Sequence, residues 1–581
     1  MNGNKLEHNS IIRRLVLLLL LVFLQLTCSG VDVEIRCQPE QVSAFQGEKV
    51  VFTMEVANHM VGSIRPGTNH FISYHLYDPK GKLISYDNRR FRIPRVLRRK
   101  KTTTFQLPVY FDYSQSGDYV VEFDIVKEGE FWGSSKNWKT SRVKLYLKPL
   151  FSGEFKKKYL SFFCSTGNVL LDREQYLLRM TLKNSEILDA NGNIFGFSPG
   201  SAYPQVWVRD TATFIAYTKR FYPIQTLARS VELFLEHQGV DGEVVDWVDV
   251  SGETGKNTVE TDQESSLVLA AYETGRENTQ WFYKKVKGKT VLTRLEMALE
   301  WVWKNKRSPR HHLIYSGFTA DWGDIENTYP DQRATKLSDR STPVFSIYTQ
   351  AKYIQAIDCL IKIFKQLNSS KQKERMQKWA ERLLTLKSQS KTLLYLEDKG
   401  YFITHIVPSD SRGKYYRMEK EMLAVGGNAE AIIADLMDHS QVERFLHVLE
   451  QRRKKYGLQT VSFTLIPPYP QGFFPHPLLI RPWSYQNGGQ WDWIGARVVK
   501  ALFLRGFKKE AENYLLEIVR KNLDRFNINE WEDRNGSPQG ADFYVGAAGL
   551  IGECIFLGYR KKLNTSQKKG MMDYPSFQQL Y

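Results

Sequence analysis

Near Leu150 the hydrophobic pattern of the chain changes period, and the two parts cannot share one layer architecture. From about Val31 to Pro149, short segments alternate apolar and polar residues, the period of two expected of half-buried strands. Residues 50–57 alternate loosely, residues 118–125 more clearly after the turn at Ser116-Gly117, and residues 143–147 again. Asp78-Pro79-Lys80-Gly81 is a turn signal between such runs. Short strands punctuated this way predict an Ig-like β-sandwich over 31–149. From about Val169 the period becomes helical. About twelve helices are expected, among them 211–222, 225–237, 264–274, 292–304, 346–364, 372–386, 428–436, 442–451, 495–504, 508–521 and 547–557. Many are apolar on more than one side, as helices packed between neighbours are. They run in pairs, and the longer loops between them hold acids and tryptophans. That pattern predicts an (α/α)6 barrel, six hairpins closed in a ring, over 165–560. A helical solenoid is the alternative, and no fixed sequence period supports it. A chain of 581 residues also exceeds what one core usually supports. Residues 150–164 are expected as a linker and 561–581 as a C-terminal tail.

The first 30 residues read as a secretory signal. Arg13 and Arg14 precede a run, 15–26, that is nearly all apolar yet short for a bilayer span, and Cys28-Ser29-Gly30 offers small residues for cleavage. The expectation is a secreted or periplasmic protein, with an uncleaved membrane anchor as the alternative. Four cysteines remain, Cys37, Cys164, Cys359 and Cys554, none in a CxxC pair, so no zinc or redox motif exists. Cys359 and Cys554 lie in apolar helical patterns that suit core thiols. A Cys37–Cys164 bridge is left open by the sequence. Lys+Arg number 81 against 63 Asp+Glu, a net charge of +18, part of it concentrated in 92–101 and 156–158. A solvated basic face accounts for this, and an anionic polysaccharide or membrane surface would suit it as partner. No DNA- or RNA-binding signature accompanies it, so nucleic acid is not expected. The eleven histidines show no metal spacing, and there is no phosphate loop or dinucleotide fingerprint. No metal or cofactor is therefore expected. The run Asp189-Ala190-Asn191-Gly192-Asn193 imitates the start of a calcium loop, but Ile194 stands where that loop needs glycine.

Three clusters set acids beside a tryptophan: Trp207-Val208-Arg209-Asp210, Asp321-Trp322-Gly323-Asp324 and Glu530-Trp531-Glu532-Asp533. Cleaving a sugar needs carboxyl groups to move protons and flat aromatic faces to stack on pyranose rings. The first cluster offers a planar cation and a fixed acceptor for two hydroxyls, although Asp210 also suits a helix N-cap and Arg209 could pair with it locally. It resembles the segment that holds the terminal sugar in glucoamylases and glycogen-debranching amylo-α-1,6-glucosidases. That resemblance implies substrate-binding roles for Trp207, Arg209 and Asp210. Asp262 falls where debranching-type sequences carry an acid next to the sugar, with Glu260 a lesser candidate; Glu264 is explained by the dipole of the helix it opens.

The segment 316–324 resembles the A-D-W-x-D stretch of cellobiose and chitobiose phosphorylases and, more loosely, the S-G-W-D region of trehalases. The first likeness implies Asp324 as general acid, and the second leaves Asp321 open. Trp322 and Phe318 would supply apolar walls that keep such a carboxyl protonated, and Trp322 is also a candidate substrate contact. Residues 530–536 resemble the E-x-Y-D stretch of trehalases and processing α-glucosidases. This implies Glu530 as general base, with Glu532 as second choice because Trp531 and Glu532 depart from the usual motif. Residues 485–493 resemble the N-G-x-x-W-x-W turn of helical-barrel glycosidases and imply substrate contacts from Asn487, Trp491 and Trp493. Two core tryptophans after a glycine turn are the plain alternative.

The resemblance runs over roughly 165–560 as scattered motifs in order. It implies a six-hairpin glycosidase but no single family. The expected function is an exported inverting glycoside hydrolase acting on an oligo- or polysaccharide, its two carboxyls roughly 6.5–9.5 Å apart to admit a water. A non-catalytic glycan-binding protein, a glycoside phosphorylase and a polysaccharide lyase are the alternatives.

Overall fold

The computed structural model describes residues 31–559 apart from 112–114, 137, 258, 260–261, 328–335, 369 and 411–412. The segment expected as a signal, Glu260 and the expected C-terminal tail lie outside the described residues. The chain divides into two compact units, Met1–Leu150 and Phe151–Tyr581.

In the first unit, β1 (Val33–Gln38), β3 (Lys49–Asn58) and β7 (Lys101–Tyr110) form an antiparallel sheet in the order β1-β3-β7. A second sheet runs β2 (Gln41–Phe45), β10 (Ser141–Lys148), β8 (Gly117–Lys127), β4 (His70–Tyr77) and β5 (Leu83–Ser85), with β2 parallel to β10 and with the short strands β6 (Phe91–Arg92) and β9 (Phe131–Trp132) paired to β4 and β8. Alternation along β3 and β10 turns every second side chain inward. Phe52 and Met54 from one sheet and Ile72, Tyr74, Val121 and Phe123 from the other meet in a single core.

The second unit opens on a short helix, Gly153–Tyr159, capped by the Ser152 hydroxyl and anchored by buried Phe155. The stretch expected as a linker is thus partly structured. Twelve longer helices follow among the described residues. They are α1 (Val169–Asn184), α2 (Val208–Thr218), α3 (Ile224–His237), α4 (Gln263–Gly275), α5 (Val291–Asn305) and α6 (Ile347–Leu367). Then come α7 (Ser370–Leu394), α8 (Val425–Ile433), α9 (His439–Tyr456), α10 (Asp492–Arg505), α11 (Lys508–Arg525) and α12 (Val545–Tyr559). The even-numbered helices pack in sequence, α2 on α4, α4 on α6, α6 on α8, α8 on α10 and α10 on α12, and α12 closes on α2. Outside them, α1, α3, α5, α7 and α11 lie against this inner ring, while α9 packs through the strand Tyr401–Phe402. The division follows composition. α8 and α12 are buried nearly all round, whereas α9 and α11 bury one stripe and expose their lysines and glutamates.

Seven small two- or three-stranded ribbons occupy the loops of this unit, where the hydrophobic pattern alone predicts only connections. Two to four residues per strand are too few to show a period. No helix among the described residues is long and apolar enough to cross a membrane.

Candidate active site

Because inner and outer helices alternate, the inner helices all run the same way, and their N-termini share one end of the ring. Every described residue that the sequence nominates for the site lies at that end. Trp207 is the N-cap of α2, with Arg209 and Asp210 in its first turn; Asp262 is the N-cap of α4; Trp491 is the N-cap of α10. Residues 321–324 lie on the connection to α6, and 530–532 on that to α12.

Arg209 reaches across to Asp262, its Nε donating to Oδ1 at 2.9 Å and Oδ2 at 3.1 Å. The Tyr348 hydroxyl donates to Asp262 Oδ2 at 2.8 Å. Burial alone would raise the Asp262 carboxyl; Arg209, Lys352 and Tyr348 outweigh it and hold the group below its ordinary value. Arg209 therefore does not pair locally with Asp210. Nor is Asp210 an N-cap, because α2 begins at Val208. Asp210 instead accepts from the Tyr544 hydroxyl at 3.0 Å, and burial pushes it up to about 6 against the pull of Arg209.

Two further tyrosines repeat this arrangement. Tyr203 donates to Glu530 Oε1 at 2.8 Å, and the Ala541 N–H donates to Oε2 at 2.8 Å. Burial raises Glu530 to about 7, and the charges of Asp210 and Asp324 act in the same direction. Tyr485 donates to Asp324 Oδ2 at 3.1 Å. The other oxygen, Oδ1, is buried without a hydrogen-bond partner among the described residues. Burial and the adjacent acids keep Tyr203, Tyr485 and Tyr544 neutral, hence donors. Asp210, Asp324 and Glu530 are electrostatic neighbours of Tyr203. Four motifs far apart in sequence thus meet in one place.

The second-choice acids stand elsewhere. Asp321, with φ of 62°, accepts the Gly427 N–H at 3.2 and 3.3 Å at the start of α8, and burial pushes it up to about 7. The absence of side chains at Gly426 and Gly427 makes the fit possible, since an added Cβ would lie 2.6 and 2.9 Å from Asp321 oxygens. Glu532 pairs with Lys521 at 3.2 Å and with Arg525, facing α11.

Trp322 packs its ring 4.9 Å from Trp491 and 4.8 Å from Trp493, edge to face in both cases. All three are 2–3% exposed, so they form a wall behind the site, with Arg497 4.2 Å over the Trp493 ring. Asn487 is fully buried, and its amide is engaged with the Tyr469 N–H and with the carbonyls of Tyr469, Leu479 and Arg481. It staples the loop instead of offering an amide to a ligand. Phe318 belongs to a separate aromatic cluster with His405, Tyr415 and Phe473.

Sequence reasoning passed over the tyrosines and Trp247. A ribbon pairs Trp207 with Trp247, and both indole N–H groups are buried without partners among the described residues. Tyr485 opens the segment 485–493, Tyr203 stands four residues before Trp207, and Tyr544 lies beyond the 530–536 segment. No spacing in the sequence sets these tyrosines apart from the others.

Among the described residues no three His, Cys, Asp or Glu side chains come together as a metal site. Cys37, Cys164, Cys359 and Cys554 all remain thiols, with no disulfide between any two of them. In the Asp189 run, the carboxylate accepts the N–H groups of Asn191 and Asn193, closing a turn between two short strands. Glu264 accepts the Val244 N–H at 2.9 Å, so it holds a loop as well as opening α4.

No family model matches the chain, and no curated protein matches it. Among solved structures it is similar to a GH63 mannosylglycerate hydrolase from Thermus thermophilus in complex with glucose, at 13% identity and a TM-score of 0.48, over 66% of this chain and 99% of that one. It is similar to a rhamnosidase from Klebsiella oxytoca with rhamnose bound, at 12% identity and a TM-score of 0.49, over 90% and 89%. A GH78 family rhamnosidase of Bacillus sp. GL1 matches at 10% identity and a TM-score of 0.48, over 88% of this chain and 46% of its own length.

Proposed function

We propose that this chain is an inverting glycoside hydrolase with Asp324 as general acid and Glu530 as general base. The observation that carries the reading is the pair of tyrosine-held carboxyls: Asp324 under Tyr485, Glu530 under Tyr203, each within the field of the other. Asp324 donates a proton to the glycosidic oxygen as the bond from that oxygen to the anomeric carbon breaks. A water attacks the opposite face of that carbon and gives its proton to Glu530. The product carries the inverted configuration. Arg209 and Asp210, at the first turn of α2, and Asp262, at the N-cap of α4, supply the charged groups that hold sugar hydroxyls, with Trp207 and Trp247 as apolar faces.

Glu532 is unsuited to the base role because Lys521 and Arg525 neutralise it. Asp321, fixed on the Gly427 amide, is a support for α8. The β unit fits an accessory Ig-like sandwich, and the arginine-plus-apolar run at 13–26 supports export, with an oligo- or polysaccharide as substrate.

A reducing-sugar screen over α- and β-glycosides, followed by NMR of the first-formed anomer, tests the reading. Asp324→Asn and Glu530→Gln should each lower turnover by about 10²–10⁴ while the fold and glycan binding persist. Full activity in both variants, or retention of the anomer, would overturn it.

A further inference from the structure

The inner ring encloses a cavity of about 390 Å³ at the end away from the acid cluster. Its walls come from the middle and C-terminal parts of the inner helices: Ala216 of α2, Tyr272 of α4, Lys362 of α6, Ile433 of α8, Leu504 of α10 and Glu553 of α12. Such a volume accommodates a small metabolite.

The charge on these walls is unequal. Arg276, Lys352, Lys362, Lys365, Arg497 and Lys500 line the cavity against Glu273, Asp358, Glu430 and Glu553, six cations to four carboxylates, an excess of two. The outer pairs are satisfied: Lys362 with Asp358 at 2.7 Å, Arg276 with Glu273 at 3.0 Å and Lys500 with Glu553 at 2.9 Å. Lys365, near the C-terminus of α6, is one of the two excess cations, and the other lies at the inner end. There Lys352 and Arg497 share the single carboxylate of Glu430. Lys352 is 5% exposed, its Nζ is 3.7 Å from Glu430, and it makes no hydrogen bond among the described residues. The Nε of Arg497 is likewise buried without a partner. Burial, and then their mutual repulsion, disfavours the charged form of Lys352; Arg497, too, is held below its ordinary value, chiefly by burial. Two buried cations with unspent donors facing an open volume lack an anion.

We propose that this cavity is a second ligand site, distinct from the acid cluster, which binds the oxyanion of a small phosphate ester or carboxylate between Lys352 and Arg497. The field of such an anion reaches the acid cluster, because Lys352 and Arg497 both act electrostatically on Asp262 and Arg209. The competing explanation is that the cations only offset the six helix C-termini that converge here.

Calorimetric titration of the full chain with inorganic phosphate, and separately with acetate, decides between them. We expect saturable binding of one ion per chain, weakened at least about tenfold in Lys352→Met, which is about 1.4 kcal/mol. Cys359, the cavity-wall thiol, gives a readout in the unmodified protein. It is the half-buried one of the four cysteines whose structure is described, and phosphate should slow its labelling by a small neutral thiol reagent. The two ions distinguish a tetrahedral from a planar headgroup. If neither ion binds saturably, or if phosphate binds without protecting Cys359, the proposal is wrong. Should Lys352→Met fail to fold, the labelling result stands alone as the test.

Discussion

Glu530 has both carboxylate oxygens engaged, by Tyr203 and by the Ala541 amide, whereas Asp324 has one engaged and one bare. A proton donor needs a free oxygen to present, and the bare Oδ1 suits Asp324 for that role. With Glu530 raised to about 7, the two assignments make opposite pH profiles. As a base Glu530 must be deprotonated, so kcat/KM should rise with pH and level off above about 7; as an acid it would make kcat/KM fall through the same range. Glu530→Gln should abolish that limb whichever way it runs. Arg209 and Asp262 make a second residue-scale prediction. Removing the cation in Arg209→Ala leaves a buried carboxylate, and denaturant unfolding should show a loss of about 3–5 kcal/mol. Adding Asp262→Asn to that variant should recover part of it, since the two effects share one partner. Asp210, Asp324 and Glu530 were legible in the sequence because each stands in a cluster with a tryptophan, and Asp262 because its segment resembles debranching-type sequences. The tyrosines were not, because a tyrosine among 30 in the chain carries no spacing of its own. Only the folded ring brings Tyr203 to Glu530, 327 positions away.

At the scale of elements, the helices were legible where they repeat an apolar stripe for three turns or more. The expected 225–237 and 508–521 correspond to Ile224–His237 and Lys508–Arg525. α8 begins at Val425, earlier than its apolar pattern at 428 suggests, because Gly426 and Gly427 are there for contact with Asp321 instead of periodicity. The ribbons were illegible for the opposite reason, as their register is fixed by contacts from elsewhere. One of them, Trp531–Glu532 against Pro538–Gln539, ends in the turn that positions the base. Gly540 there has φ of 71°, and a Cβ would stand 2.5 Å from Glu530 Oε2. Gly540→Ala should therefore cost about 1–2 kcal/mol in stability. It should reduce kcat by more than that loss of folded protein explains, because the displaced group is Glu530 itself. Equal kcat in the variant and the parent, measured where both are fully folded, would show that Glu530 does not depend on this turn.

For the whole molecule, the decisive event is closure of the ring, and the sequence carries no direct mark of it. Closure joins the first outer helix to the last hairpin, where the Asn522 amide of α11 donates to Glu174 Oε1 of α1 at 3.2 Å, across 348 positions. Glu174 is wholly buried at this seam, its Oε2 has no partner among the described residues, and burial pushes its carboxyl up to about 8. The folded protein thus keeps a proton that the unfolded chain releases near the ordinary value of 4.5. Between those two values the native state binds more protons, so raising the pH favours unfolding. The contribution of Glu174 is fully present below about 4.5 and lost as the pH rises through about 8. Asp321, Glu530 and Asp210 act with the same sign over lower ranges, ending near 7, 7 and 6. The molecule should lose stability from about pH 5 to about pH 8.5, a trend opposite to that of a protein whose carboxylates are mostly salt-bridged. Glu174→Gln keeps an acceptor for Asn522 and removes the titration. Urea unfolding at the two pH values should show a smaller loss in this variant, by on the order of a few kcal/mol, since each tenfold difference in proton affinity between the folded and unfolded states is worth about 1.4 kcal/mol. If both proteins lose the same amount, the seam between α1 and α11 admits water to Glu174, and the ring is less tightly closed than its packing implies.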